Sequence, residues 1–148
     1  MARIADVMNL RIVSMRPDET TAVAIARMLE ENVGSVAVCE GHELVGIFTE
    51  RDVLRLAGLG SNFAELKLGD VMTRSLVTIS PDDTGLEAAK LMGQRQIRHL
   101  PVVQDGMLLG IAGIRDVLRS LVEQLWRERD PDARDTAREL LRRAPTVR

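Results

Sequence analysis

Among its 148 residues the chain has one cysteine, two histidines, one tryptophan, two phenylalanines and no tyrosine. One cysteine excludes an internal disulfide. Cys39 stands in the apolar run SVAVCE, where a small buried thiol is expected, since reactive thiols need exposure and positive neighbours. His42 and His99 lie in different halves of the chain, with no cysteine or carboxylate at ligand spacing, so no metal site is expected. An aromatic content of 2% and a net charge of −2 give no basic, base-stacking surface for nucleic acid. No run of about 18 apolar residues is present, and the opening MARIADVMNLRIVSM lacks the continuous apolar region of a signal peptide. These absences read as a soluble, cytoplasmic chain without a membrane anchor. Catalytic constellations are missing too: there is no nucleophile–base pair, and GLGSNF lacks the lysine of a phosphate-binding loop.

What is present is a repetition. Residues 6–55 and 70–119 align without a gap in a register of 64 residues, with 18 identities in 50 positions. Asp6-Val7-Met8 meets Asp70-Val71-Met72, Pro17-Asp18 meets Pro81-Asp82, and Thr20, Ala24 and Met28 meet Thr84, Ala88 and Met92. Gly46-Ile47 meets Gly110-Ile111, and Arg51-Asp52-Val53-Leu54-Arg55 recurs as Arg115-Asp116-Val117-Leu118-Arg119.

Each unit has the same grammar. IVSMRPDET and LVTISPDDT give a short strand ended by proline and acids, after which Thr20 or Thr84 can cap a helix. Small and apolar residues then recur at helical spacing. SVAVCEGHELVGIFT and HLPVVQDGMLLGIAG are each two apolar runs joined by a turn, Asp105-Gly106 being a good two-residue hairpin turn. A second helix follows around Asp52 or Asp116. The expected fold is therefore α+β: two β-α-β-β-α repeats over 4–58 and 68–122, a linker over 59–67, and a helical extension over 123–148. About 55 residues bury little surface alone, so the repeats are expected to pack together with approximate two-fold symmetry, creating two clefts at their junction.

These paired units, each with Pro-Asp before its first helix and a glycine–apolar–apolar ending that closes on Asp, resemble a tandem pair of CBS domains, the module named after cystathionine β-synthase. IRHLPVV, from Ile97, resembles the family's second strand. The resemblance implies a regulatory module without catalytic activity. Its clefts would take an adenosine-containing ligand (AMP, ADP or ATP, less readily NAD or S-adenosylmethionine). It also implies a disc-like homodimer and an unknown protein partner.

In the family's ending the acid meets ribose hydroxyls and a Thr or Ser hydroxyl meets phosphate, so the resemblance carries these roles to Asp52 and Thr49. A carboxylate suits a vicinal diol and a hydroxyl can donate to phosphate. Arg51 beside Asp52 could add positive charge. The second copy keeps Arg115 and Asp116 but has Gly113 in place of the hydroxyl, which makes the Asp52 cleft the first choice. Helix capping is the alternative role for Thr49, Asp52 and Asp116. By the same resemblance Arg98 and His99, which replace Gly34 and Ser35 of the first copy, would face phosphate; a solvated arginine and a core histidine are the alternatives. Ser14 and Thr78 read better as ordinary strand residues.

Beyond the repeat, Leu118, Leu121, Val122, Leu125 and Trp126 keep one helical face. A dimer or partner contact at Trp126 competes with simple packing. Asp130-Pro131 signals the start of a further helix.

Overall fold

The structure, a computed structural model, describes residues 2–129. The expected helix after Asp130-Pro131 lies outside the described residues. In chain order the elements are α1 (Ile4–Val7), β1 (Ser14–Met15), α2 (Thr21–Glu31), β2 (Ser35–Glu40), β3 (Glu43–Thr49), α3 (Glu50–Gly58), α4 (Leu68–Val71), α5 (Gly85–Arg95), β4 (His99–Gln104), β5 (Met107–Gly113) and α6 (Ile114–Arg129). The fold is α+β and the repeat is visible in the element order, save that the second unit has no strand matching β1.

Local chemistry sets most of these boundaries. The Thr20 hydroxyl accepts from the Val23 amide at the start of α2. Thr84 and Glu87 form a reciprocal capping box at the start of α5, satisfying amides that the first helical turn leaves free. Both helices end on a left-handed residue, Asn32 and Gln96. At the second hairpin Asp105 and Gly106 take positive φ values of 51° and 78°, as a two-residue turn between antiparallel strands requires. In the first repeat β1 pairs in parallel with β2, and β2 antiparallel with β3. The corresponding first strand of the second repeat shrinks to one parallel bridge, Ile79 to Val102, beside the β4–β5 pair.

Two short helices that the sequence pattern did not announce, α1 and α4, organise the whole. Leu68 and Met72 are buried in the first repeat's core with Val36, Val38, Phe48 and Leu56. Ile4 is buried in the second repeat's core with Met92, Leu100, Val102 and Val117. Each repeat therefore inserts its leading segment into the other. Backbone hydrogen bonds fix the exchange symmetrically: Ile4 and Ala5 amides donate to Asp83 and Pro81 carbonyls, as Leu68 and Gly69 amides donate to Glu19 and Pro17 carbonyls. Further on, Asn9 exchanges two hydrogen bonds with Ile111, and Thr73 two with Ile47.

The repeated glycines of the hairpins serve this crossing. A Cβ on Gly110 would lie 2.9 Å from both the Asn9 carbonyl oxygen and Met8 Sδ, and one on Gly46 would strike Met72 Sδ. The "G" of each ending is thus the floor on which the other repeat's leading segment rests.

Because Ile4 is fully buried in the other repeat's core, Ile4→Ala should destabilise the chain by about 2–4 kcal/mol, the usual cost of emptying such a site. Urea denaturation should still show one transition. Two separated transitions, or a loss under about 0.5 kcal/mol, would contradict this mutual dependence.

Candidate functional site

The junction of the repeats is built where β3 and β5 end and α3 and α6 begin. Ser35 pairs with Thr49 on one side and His99 with Gly113 on the other. The Glu50 amide donates to the Gly34 carbonyl (3.0 Å), and the Ile114 amide donates to the Arg98 carbonyl (2.8 Å). Backbone symmetry is kept while the side chains diverge. Gly34, Ser35, Thr49 and Glu50 face Arg98, His99, Gly113 and Ile114 as repeat mates. Between them lies a cavity of about 300 Å³, at the small end of ligand pockets. One wall is the crossing segment Asn9–Val13 with Asn32–Ser35 and Glu50, and the other is Arg98, His99 and the turn Gly113–Asp116, with Arg119 above.

Of the residues singled out in the sequence, the structure brings Arg98, His99, Arg115 and Asp116 together in this cavity; Thr49, Arg51 and Asp52 are not among its lining residues. The cavity thus stands on the second copy, which lacks the hydroxyl, rather than on the copy with the complete pattern. The reason is local. Asp52 Oδ2 accepts both the Thr49 amide (2.9 Å) and the Thr49 hydroxyl (3.3 Å), while Oδ1 lies 3.7 Å from Arg55 and the side chain is only 14% exposed. Thr49 and Asp52 are a helix capping pair. Arg51 is also engaged, its Nη1 donating 3.0 Å to the carbonyl of Gln96 at the end of α5.

At the mate position Gly113 offers no hydroxyl, and a Cβ there would lie 3.6 Å from Asp116 Oδ2. The Asp116 carboxylate lies above the glycine, 35% exposed, with one oxygen 3.4 Å from Arg119 Nη1. Its other oxygen has no capping partner among the described residues. Arg115 is exposed and shares the cavity lining with Asn32, whereas its mate Arg51 grips the opposite repeat. Ser14 and Thr78 are exposed and line neither cavity described here.

His99 is half-buried against Gly34. A Cβ on that glycine would come within 2.9 Å of His99 Nε2 and 2.8 Å of Glu50 Oε1, so glycine leaves the space toward which both side chains extend. Burial pushes the His99 pKa below its ordinary value; the Glu50 carboxylate opposes this and the Arg98 guanidinium adds to it. Four guanidiniums (Arg11, Arg98, Arg115, Arg119) and two carboxylates (Glu50, Asp116) line the cavity, leaving two positive charges with His99 neutral. Such a wall can hold an anion, and Asp116 can accept from hydroxyl groups. Glu50 and Arg11 were not read from the sequence. The available signal was that Glu50 has isoleucine as its mate directly before the identical Arg-Asp-Val-Leu-Arg run.

A larger groove of about 530 Å³ runs between α1 and α6 and shares Asp116 and Arg119 with the junction cavity. Its lining includes neither Arg98 nor His99, and it takes residues only from the N-terminal segment and α6. Among the described residues there is no cluster of three or more His, Cys, Asp or Glu able to hold a metal, and no helix long and apolar enough to cross a membrane.

Comparison with known proteins agrees with this architecture. The chain is 38% identical over 113 residues to a mitochondrial CBS domain-containing protein of Arabidopsis thaliana, with 72% of this chain and 55% of that protein covered; it spans a little over half of that relative's length. It is 33% identical over 118 residues to the CBS domain-containing protein YhcV of Bacillus subtilis, covering 79% of this chain and 84% of that one. Among solved structures, a CBS domain pair in complex with 5′-methylthioadenosine and S-adenosyl-L-methionine superposes with a TM-score of 0.74 at 21% identity, over 81% of this chain and 99% of that one. The model of the CBS domain matches twice, at residues 4–58 and 68–123, and the chain belongs to the CBS domain family.

Proposed function

We propose that the chain is a regulatory module that binds an adenosine-containing nucleotide in the junction cavity and passes its occupancy to a partner protein in the cytoplasm. It carries no chemistry of its own. The observation that carries this reading is that one cavity collects Asp116, Arg98, His99 and Arg115 from one repeat and Gly34, Ser35 and Glu50 from the other. A ligand there touches both repeats at once, which is what lets binding favour one packing of the pair over another. In this reading Asp116 accepts from the ribose hydroxyls, and Arg98 and Arg115 hold phosphate, with His99 beside them. Thr49, Arg51 and Asp52 belong to a second, weaker cleft. The solved CBS pair with two adenosine compounds is the reason for choosing this ligand class.

A second reading, docking to another copy or a partner without any nucleotide, is favoured by the apolar side chains on the last helix of each repeat. Leu54 is 75% exposed on α3, and Leu118, Leu125 and Trp126 are 51%, 58% and 38% exposed on α6. Homodimerisation through these helices is compatible with ligand binding as well; the second reading differs in that the cavity takes no nucleotide.

Calorimetric titration with AMP, ADP, ATP and NAD tests the first reading. Asp116→Ala should weaken binding tenfold or more, about 1.4 kcal/mol, as expected for losing hydrogen bonds to a charged group. Asp52→Ala should change affinity less than threefold and instead cost about 1 kcal/mol of stability, the capping loss. The opposite pattern would return the working site to the first repeat, and no heat with any nucleotide would leave the docking reading.

His99 supplies a pH test. Burial favours its neutral form in the free protein, and a bound phosphate favours the protonated form. Binding therefore takes up a proton, and nucleotide affinity should rise as pH falls from 8 to about 6.5. His99→Gln should flatten that rise. In the free protein the same lowered pKa means that stability falls as pH drops through the ordinary histidine value of 6.5. Melting temperatures should show this fall, reduced in His99→Gln.

A further inference from the structure

Two acids share the lining of the cavity with four arginines, and they differ in situation. Asp116 pairs with Arg119 at 3.4 Å. Glu50, contributed by the opposite repeat, makes no ion pair within 4 Å among the described residues and lies against Gly34 at the centre of the junction. His99 Nε2 lies within 2.9 Å of the point that a Gly34 Cβ would occupy, and Glu50 Oε1 within 2.8 Å of the same point, so a phosphate held beside His99 is also near this acid. The geometry points to Glu50 as the specificity residue of the site: it limits the negative charge that a bound adenosine ligand can carry, so that the cavity takes a nucleoside monophosphate over a triphosphate.

The charge count and the size agree. Four guanidiniums and two carboxylates line the cavity, leaving two positive charges, which match the about two negative charges of a phosphate monoester near neutral pH. A triphosphate brings about two more, and a tail running on past His99 would pass the Glu50 carboxylate, which is exposed to solvent yet repels like charge at a separation of a few ångströms. At about 300 Å³ the cavity is also near the lower limit for a ligand site, which leaves little room to route a longer tail around the acid. Without Glu50 the wall would carry three positive charges and the discrimination would fall. Ile114, its mate, carries no charge, so the opposite cleft lacks this device.

This inference rests on the nucleotide-binding reading, and the experiment separates the two. Affinities for AMP, ATP and adenosine are measured at pH 7.5 and fixed ionic strength on the wild-type chain and on Glu50→Gln. The wild-type chain should bind AMP at least tenfold more tightly than ATP. Glu50→Gln should cut that ratio about tenfold, chiefly by strengthening ATP, while adenosine binding moves less than twofold. Glu50→Asp, which keeps the charge, should keep most of the preference. An AMP-to-ATP ratio unchanged in Glu50→Gln, or equal gains for adenosine and ATP, would overturn the assignment while leaving nucleotide binding in place. Absence of binding by all three ligands to both proteins would instead remove the nucleotide-binding reading, and this inference with it.

Discussion

The crossing of the two leading segments is the constraint on which the rest of the molecule depends. Ile4 completes the second core, and Leu68 with Met72 completes the first. Neither repeat owns all of its interior. A unit of about 55 residues buries too small a fraction of its surface to be comfortable alone, and the exchange converts that shortage into mutual dependence. It also places the strand-like stretch from Asn9 to Val13 directly in the wall of the junction cavity. The segment that binds the repeats together is thus part of the surface a ligand would touch.

Symmetry of the backbone and asymmetry of the side chains then divide the labour at the junction. The same hydrogen bonds recur at both helix starts, from Glu50 to Gly34 and from Ile114 to Arg98. Around them, a threonine draws one aspartate into a capping box while a glycine leaves its mate uncovered. The two carboxylates differ accordingly: Asp52 is held by the amide and hydroxyl of Thr49, while Asp116, above Gly113, lines the cavity. The bulk follows the same complementarity: Gly34 makes room for His99 and Glu50, and a larger residue there would require their side chains to shift.

Much of the fold was legible because it is written in local chemistry. Thr20 and Thr84 announced helix starts, Asp105-Gly106 announced a hairpin, and the 64-residue register announced two equivalent units. Arg98, His99, Arg115 and Asp116 were each singled out in the sequence, but not as one group: the repeat register shows which positions are mates, not which side chains share a cavity. The exchange of α1 and α4 was not legible. A four-residue helix has too little periodicity to declare itself, and which core an isoleucine enters is a tertiary matter. The contact between Thr49 and Asp52 was likewise only one of two roles open in the sequence: both have the right atoms for a ligand, and satisfying one another is a local option that spacing alone does not weigh. Glu50 escaped notice because it belongs by sequence to one repeat and by position to the cavity of the other.

The crossed segments also bear on origins. A polypeptide carrying only one such unit would hold a leading helix whose complementary hollow exists only on an identical neighbour. Such an ancestor would have folded as a reciprocal pair of separate molecules, its assembly falling away on dilution. Joining two copies through the short stretch after α3 replaces that encounter by an intramolecular one, at an effective concentration on the order of millimolar. Once joined, the halves no longer need be identical. That freedom is what permits Gly34, Ser35, Thr49 and Glu50 to stand opposite Arg98, His99, Gly113 and Ile114 as repeat mates.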